Sequence, residues 1–425
     1  MIEPLHLQPL CGLVVLPLLA WLSGWRRGHG QHSRRTFPVR LVLSGLVLQF
    51  ALAVLLLKLP LFKDGVLLLN QLLLAIQRAT EAGTALVFGY LGGGPAPFDV
   101  VTAEHSYVLG FRALPLVITF SALSALLWHW RVVPLLIRGI ARLLAHVLPV
   151  GGAVGLSSAA SVFMSMVEAP LLIRPQLARL SDSELFVLMT CGMATVAGTV
   201  LGLYAAILGP VIPEALSQLV VASVISVPAA IVMALLMRPP ESAGDVAPPP
   251  GMDPDYASSI EALLQGTEQG LKLFLNIVAT LIVFVALVSL GNQLLAVIPT
   301  AGEPLSLQGM LGLLLQPLMW TLGIPWAETA VAGELMATKV ILNELVSYLQ
   351  LAALPEGELR ERSRLILSYA LCGFANFGSL GIMLGGLSAL CPQRRGDFLR
   401  LAPLSLWSGT LATCMTGAVV ALLIR

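Results

Sequence analysis

Apolar runs of about 20 residues, the length a helix needs to cross a bilayer, recur from one end of the sequence to the other. They fall at 5–24, 41–62, 107–128, 185–208, 216–237, 271–297, 365–390 and 401–424. Only 11% of the 425 residues are Asp, Glu, Lys or Arg, against about 25% in ordinary soluble domains. A water-exposed surface cannot be covered with so little charge, so lipid is the solvent this chain is built for. The expected fold class is an all-α polytopic membrane protein with eight transmembrane helices, forming one membrane unit rather than a string of soluble domains.

Charge also sets an orientation. Arg26, Arg27, Arg34, Arg35 and Arg40 make the densest basic loop, which the positive-inside rule puts in the cytoplasm. Both termini are then expected in the periplasm, and the Arg394–Arg395 loop falls inside, in agreement. The run 5–24 follows Glu3 rather than basic residues and has no small-residue cleavage site, so it reads as a span and not a leader.

Several chemistries find no support. The net charge of +1 argues against a nucleic-acid or acidic partner. Cys11, Cys191, Cys372, Cys391 and Cys414 are scattered with no CxxC, so neither a disulfide framework nor a zinc site is indicated. Gly92-Gly93-Gly94 lacks the GK[ST] of a phosphate loop. No HExxH and no Ser–His pair within a span suggests an intramembrane hydrolase, so an enzyme is not expected. Trp128, His129, Trp130 and Arg131 read as an interfacial belt.

Other stretches do not fit as simple spans. The run 67–90 carries Asn70, Gln71, Gln77, Arg78 and Glu81 and reads as an amphipathic helix, on the membrane or against other helices. The run 135–150, with Arg138, Arg142 and His146 four apart, reads likewise. The proline-rich segment 238–257 is a polar linker. The expected division is 1–90, N-terminal spans and amphipathic helix; 91–237, first half of a transport core; 238–257, linker; and 258–425, the second half with the last span.

Two runs are too polar and broken to cross: 151–175, with Ser161, Ser165, Glu168 and Pro170, and 323–349, with Pro325, Glu334, Lys339, Asn343 and Glu344. Each reads as a re-entrant hairpin, because irregular backbone at membrane depth is tolerated only where it is buried or lines a wet cavity. Each is followed by a span with the same CGxA pattern, Cys191-Gly192-Met193-Ala194-Thr195 and Cys372-Gly373-Phe374-Ala375-Asn376. Glycine beside a polar residue lets a helix unwind. Paired hairpins followed by paired broken helices point to an inverted-repeat transporter with its site at the bilayer midplane; the competing reading is coincidence in a Gly- and Ala-rich chain.

Intramembrane carboxylates cost about 2.5–3.5 kcal/mol on insertion scales. Glu168 and Glu344 are each flanked by apolar residues. Each can accept hydrogen bonds from substrate hydroxyls, or can instead be a helix cap or the partner of Arg174 or Lys339. Asn376 and Ser379 share a helix face at i, i+3 and suit sugar hydroxyls. Phe374 can wall in a ligand or simply pack. Thr195 can lend its hydroxyl to a cation or back-bond to its own helix.

At these residues the chain resembles the concentrative nucleoside transporter family. The matching stretches are Glu168-Ala-Pro-Leu-Leu-Ile-Arg-Pro175, Ser183-Glu-Leu-Phe186, Ala194-Thr-Val-Ala-Gly198, Leu342-Asn-Glu344, Tyr369-Ala-Leu-Cys-Gly-Phe-Ala-Asn-Phe-Gly-Ser379 and Gly409-Thr-Leu-Ala-Thr413. The resemblance implies a homotrimer of eight-span protomers in the bacterial inner membrane, each an elevator-type symporter that imports a nucleoside with sodium or a proton and needs no cofactor. It implies ribose-binding roles for Glu344, Asn376 and Ser379, neighbouring pocket positions for Phe374 and Asn343, and a place beside the base for Val200. Thr195 and Val196 match cation-site positions.

The departures lie in the first hairpin. Where the family commonly reads Asn-x-Phe-x-Gly-Gln-Thr-Glu, this chain has Ser161-Val-Phe-Met-Ser-Met-Val-Glu168. The base then lies against Ser165, Met166, Val167 and Val200, with fewer hydrogen bonds to read it. Ser161 is a shorter cation ligand than Asn. Its Oγ, the Thr195 Oγ and carbonyls near Met164 and Val196 remain for sodium, with proton coupling through Glu168 as the alternative. The altered hairpin also keeps open a second substrate class, another riboside or polyhydroxyl metabolite on the same scaffold.

Overall fold

The computed structural model describes residues 4–25, 36–100, 107–240, 256–299 and 304–424. Arg26, Arg27, Arg34 and Arg35 of the basic loop, Glu3, and most of the expected linker lie outside the described residues. Apart from one bridge between Glu356 and Leu359, the described chain is helix and turn.

Seven described helices are long and apolar enough to cross a membrane, and Phe377–Leu390 is apolar but shorter. The expected run 365–390 is divided because the chain leaves helix geometry between Glu361–Leu371 and Phe377–Leu390. The expected run 41–62 is also corrected. Its helix is Val39–Lys58, and Leu59 is extended before a new helix, Pro60–Phe88. Proline lacks the N–H that a continuing helix needs but suits a first turn. Pro60–Phe88 leans on other helices: Asn70 Nδ2 donates to Ser217 Oγ at 3.0 Å and Thr80 Oγ1 to Thr119 Oγ1 at 3.0 Å.

Burial separates a centre from a periphery. Ala215–Met237 and Arg395–Leu423 pack together, with Asp182–Ala194 against both, and these are almost wholly buried. Their alanines, serines and threonines let backbones approach, and buried hydroxyls bond across helices. Gln49 Nε2 donates to Thr416 Oγ1 at 3.1 Å, and Ser226 Oγ and Thr416 Oγ1 lie 2.9 Å apart. By contrast Ser259–Leu295, 37 residues long, presents Ile282, Leu287 and Leu294 outward. At 1.5 Å per residue it is about 55 Å long, well beyond a hydrocarbon core of about 30 Å. Only lipid or another apolar protein face can cover such a surface. Val132–Val147 buries Ile137, Ala141 and Leu144 and keeps Arg138 and Arg142 exposed, as its four-residue charge spacing requires.

Both polar runs form hairpins. In the first, Gly152–Ala160 descends into a turn and returns as two short helices, Glu168–Leu171 and Arg174–Leu177; Pro170 and Pro175 keep the returning leg from continuing as one helix. In the second, Thr329–Ile341 and Glu344–Ala353 are tied by Ser347 Oγ donating to Leu335 O at 2.8 Å. Arg364 donates to the carbonyls of Leu351, Leu354 and Pro355, satisfying groups that a helix C-terminus leaves open.

Candidate functional site

The two broken helices meet at their breaks. Asp182–Ala194 gives way to three residues outside helix before Gly198–Leu208. Phe374, in the second break, donates its backbone N–H to Thr195 O at 3.3 Å. A Cβ on Gly373 would lie 3.0 Å from the carbonyl oxygens of both Met193 and Ala194, so a side chain here would press the two breaks apart. The two CGxA patterns, 181 residues apart by position (372 minus 191), are thus one structural feature: each unwinds where it touches the other.

Asparagines start the helices that leave this region. Asn343 Oδ1 accepts from Val346 N–H at 2.9 Å, and Asn376 Oδ1 accepts from Ser379 N–H at 2.7 Å. Both are N-caps. Asn376 also donates from Nδ2 to Glu344 Oε2 at 2.8 Å, and the Tyr204 hydroxyl donates to Glu344 Oε1 at 2.6 Å. Glu344 is buried. A buried carboxylate is tolerated only with such donors. The Lys339 ion pair weighed for Glu344 is not formed: Lys339 is buried, and its Nζ has no hydrogen-bond partner. Glu344 is held instead by two neutral donors from other elements, and of these the sequence reading missed Tyr204. A tyrosine inside an apolar span carries no local signal that distinguishes a ligand from core.

A cavity of about 360 Å³ lies nearby, with none of Glu344, Asn343, Asn376, Ser379 or Tyr204 among its lining residues; its volume is within the range of about 300–1,000 Å³ typical of small-molecule sites. Met164, Ser165, Glu168, Val200 and Phe374 line it, as do Phe163, Thr199, Gln265 and Gln269. Val200 and Tyr204 are one helical turn apart, so cavity and carboxylate share a helix face. Gln265 and Gln269 were missed because the sixth apolar run was started at 271, yet two glutamines at i, i+4 entering an apolar helix were a legible sign.

Met166 and Val167, expected against the base, are turned elsewhere. A Cβ on Gly192 would be 2.9 Å from Met166 Cβ, and one on Gly386 would be 2.4 Å from a Val167 methyl. The Val167 methyls fill space left by Gly386, and the backbone of the turn at Met166 packs on Gly192. Glu168 is exposed, and its Oε2 accepts from Ser165 N–H at 2.9 Å while Ser165 Oγ accepts from Glu168 N–H at 3.3 Å. That is the reciprocal arrangement of a capping box, the cap alternative for this residue. Its carboxylate still borders the cavity.

Of the expected cation groups Ser161, Thr195 and Val196 are buried and Met164 is half-buried, and each hydroxyl bonds a carbonyl of its own segment. Ser161 Oγ donates to Ser158 O at 2.7 Å, and Thr195 Oγ1 back-bonds to Cys191 O at 2.9 Å. Ser223, another residue missed from sequence, places its Oγ 3.4 Å from both N and O of Val196. Hydroxyls that donate to carbonyls keep lone pairs for a cation, so this donor set is compatible with sodium.

Comparison with known proteins adds family context to this geometry. Residues 11–91 match the model of the Na+ dependent nucleoside transporter N-terminus, 110–211 that of nucleoside recognition (Gate), and 218–421 that of the Na+ dependent nucleoside transporter C-terminus. The chain is 34% identical over 426 residues to the nucleoside permease NupC of Helicobacter pylori, covering 97% of this chain and 96% of that protein. It is 32% identical to sodium/nucleoside cotransporter 1 of Mus musculus over 81% of this chain and 53% of that one. Among solved structures it is similar to CNTnw in an inward-facing substrate-bound state, with a TM-score of 0.86, 31% identity and 98% and 97% of the two chains covered. A CNTnw variant in an outward-facing state gives the same TM-score of 0.86 at 31% identity, over 99% and 98%.

Proposed function

Because this chain belongs to the Na+-dependent nucleoside transporter family, we propose that it is a secondary active symporter that imports nucleosides across a bacterial inner membrane. The observation that carries the reading is the Glu344 carboxylate, buried and held by Tyr204 and Asn376 beside a cavity of ligand size. Glu344, Asn376 and Ser379 read the ribose, with Asn343 as a supporting cap. The base lies in the cavity among Phe163, Met164, Ser165, Val200 and Phe374. Met166 and Val167 support that wall from behind, and Ser165, Thr199, Gln265 and Gln269 supply the polar groups that the base can meet. Eight spans and two re-entrant hairpins form each protomer of a homotrimer, with both termini periplasmic, and the hairpins move together as an elevator.

Sodium is the proposed coupling ion, bound by Ser161, Thr195 and the carbonyls of Met164 and Val196. The test is uptake of labelled purine and pyrimidine nucleosides into proteoliposomes under separate sodium and proton gradients. Wild type should accumulate nucleoside under a sodium gradient, and Ser161→Asn should strengthen that dependence by adding a longer oxygen ligand. No gradient-driven uptake of any nucleoside would end the nucleoside reading; uptake driven by protons alone in both proteins would move the coupling to Glu168. A second reading, transport of another riboside, is motivated by Met166 and Val167 in the first hairpin, where the family commonly reads Gln and Thr. A thermal-shift panel of nucleosides against other ribosides separates the two.

A further inference from the structure

A carboxylate offers about four lone-pair sites. On Glu344, Tyr204 occupies one site of Oε1 and Asn376 one site of Oε2. The Glu344 backbone N–H also bonds the carboxylate, so about one site remains open to a sugar hydroxyl. Tyr204 is well placed to hold its site. It is 4% exposed, its ring centroid lies 5.3 Å from that of Tyr348 at an interplanar angle of 54°, and the Tyr348 hydroxyl is itself fixed to Ser368 O at 2.9 Å. Neither tyrosine can swing without unpacking the other.

We propose that Tyr204 is a specificity-determining positioning residue, which by holding one lone pair of Glu344 sets how strictly the site demands both ribose hydroxyls. The proposal rests on the nucleoside reading above. Its physical basis is the asymmetry of buried hydrogen bonds: an acceptor left unpaired costs more than a formed bond gains. With Tyr204 and Asn376 both donating, a ligand that lacks one sugar hydroxyl leaves the carboxylate still partnered on each oxygen. Without the phenol, the same ligand leaves Oε1 bare. Tyr204 therefore buffers Glu344 and widens the range of sugars the site accepts.

The test is equilibrium binding of uridine, 2′-deoxyuridine and 3′-deoxyuridine to the purified full chain, wild type and Tyr204→Phe, with thermal unfolding recorded for both. Wild type should bind the weaker deoxynucleoside within about tenfold of uridine, and Tyr204→Phe should widen that ratio by roughly a further tenfold, the scale of one hydrogen bond to a charged group. In a Glu344→Gln background Tyr204→Phe should leave the ratio unchanged, because the tyrosine acts through the carboxylate. An unchanged ratio in the single variant, or equal widening in both backgrounds, overturns the proposal and leaves Tyr204 a packing residue. Should Tyr204→Phe fail to accumulate, wild type alone decides: a ribose preference above about 200-fold, more than one such bond supplies, contradicts a buffered carboxylate. Absence of binding by any nucleoside to wild type is a different failure and overturns the nucleoside reading itself.

Discussion

Asn343 and Asn376 look alike in sequence, each the last residue of a break and the cap of the helix that follows, yet they carry different loads. The Asn343 side chain caps Val346 N–H. Asn376 caps Ser379 N–H and also holds one oxygen of Glu344. Losing a cap costs about 1 kcal/mol; losing a hydrogen bond to a charged group adds about 1.5–3 kcal/mol. Asn376→Ala should therefore lower the thermal midpoint in detergent clearly more than Asn343→Ala, and should abolish nucleoside uptake where Asn343→Ala weakens it. Equal midpoints for the two variants would mean that the Glu344 contact contributes nothing to the resting structure.

At the scale of elements, the site depends on two helices unwinding against each other. Helix propensity alone makes Gly→Ala favourable by about 1 kcal/mol in a helix interior, and Gly381, where an added methyl would meet nothing within 4 Å, should follow that rule. Gly373 should not. A methyl there meets the backbones of Met193 and Ala194 at 3.0 Å and Thr413 at 2.7 Å, and overpacking of this kind costs about 1–3 kcal/mol. Gly381→Ala should raise or preserve the midpoint and keep uptake, while Gly373→Ala should lower it and lose uptake. Thermal unfolding of the two purified variants, read side by side, checks the pair; a tolerated Gly373→Ala would show that the breaks need not touch.

At the scale of the whole molecule, the cavity lies between elements of different character. On one side stand the first hairpin and Gly198–Leu208; on the other, Leu116–His129 and the long peripheral helix Ser259–Leu295. The proposed elevator motion requires these two sides to slide. A bifunctional thiol reagent joining Leu172→Cys to Gln269→Cys, in a Cys11→Ser background because Cys11 is the exposed native cysteine among the described residues, should stop uptake. Each single-cysteine protein treated with the same reagent should retain it. Full uptake by the cross-linked protein would rule out relative motion of these two walls.

What the sequence determined by itself was the solvent, the helical class, the two polar helix–turn–helix segments and both breaks, with Glu344 and Asn376 as expected site residues. Each follows from local or periodic rules: too little charge for water, runs of span length, glycine beside a polar residue, and a carboxylate too costly in lipid to be idle. The tertiary structure decided which way side chains face and what they meet. Spacing within an irregular turn does not fix direction, so only the packing shows that the Val167 methyls sit against Gly386 and that the turn at Met166 rests on Gly192. At Pro60 the chain starts a new helix inside what hydrophobicity alone marks as a single run, because one missing N–H outweighed the continuous apolar character. Tyr204 meets Glu344 across 140 residues, and no local pattern encodes a partner at that distance; only the packing of Gly198–Leu208 against the second hairpin brings the phenol to the carboxylate.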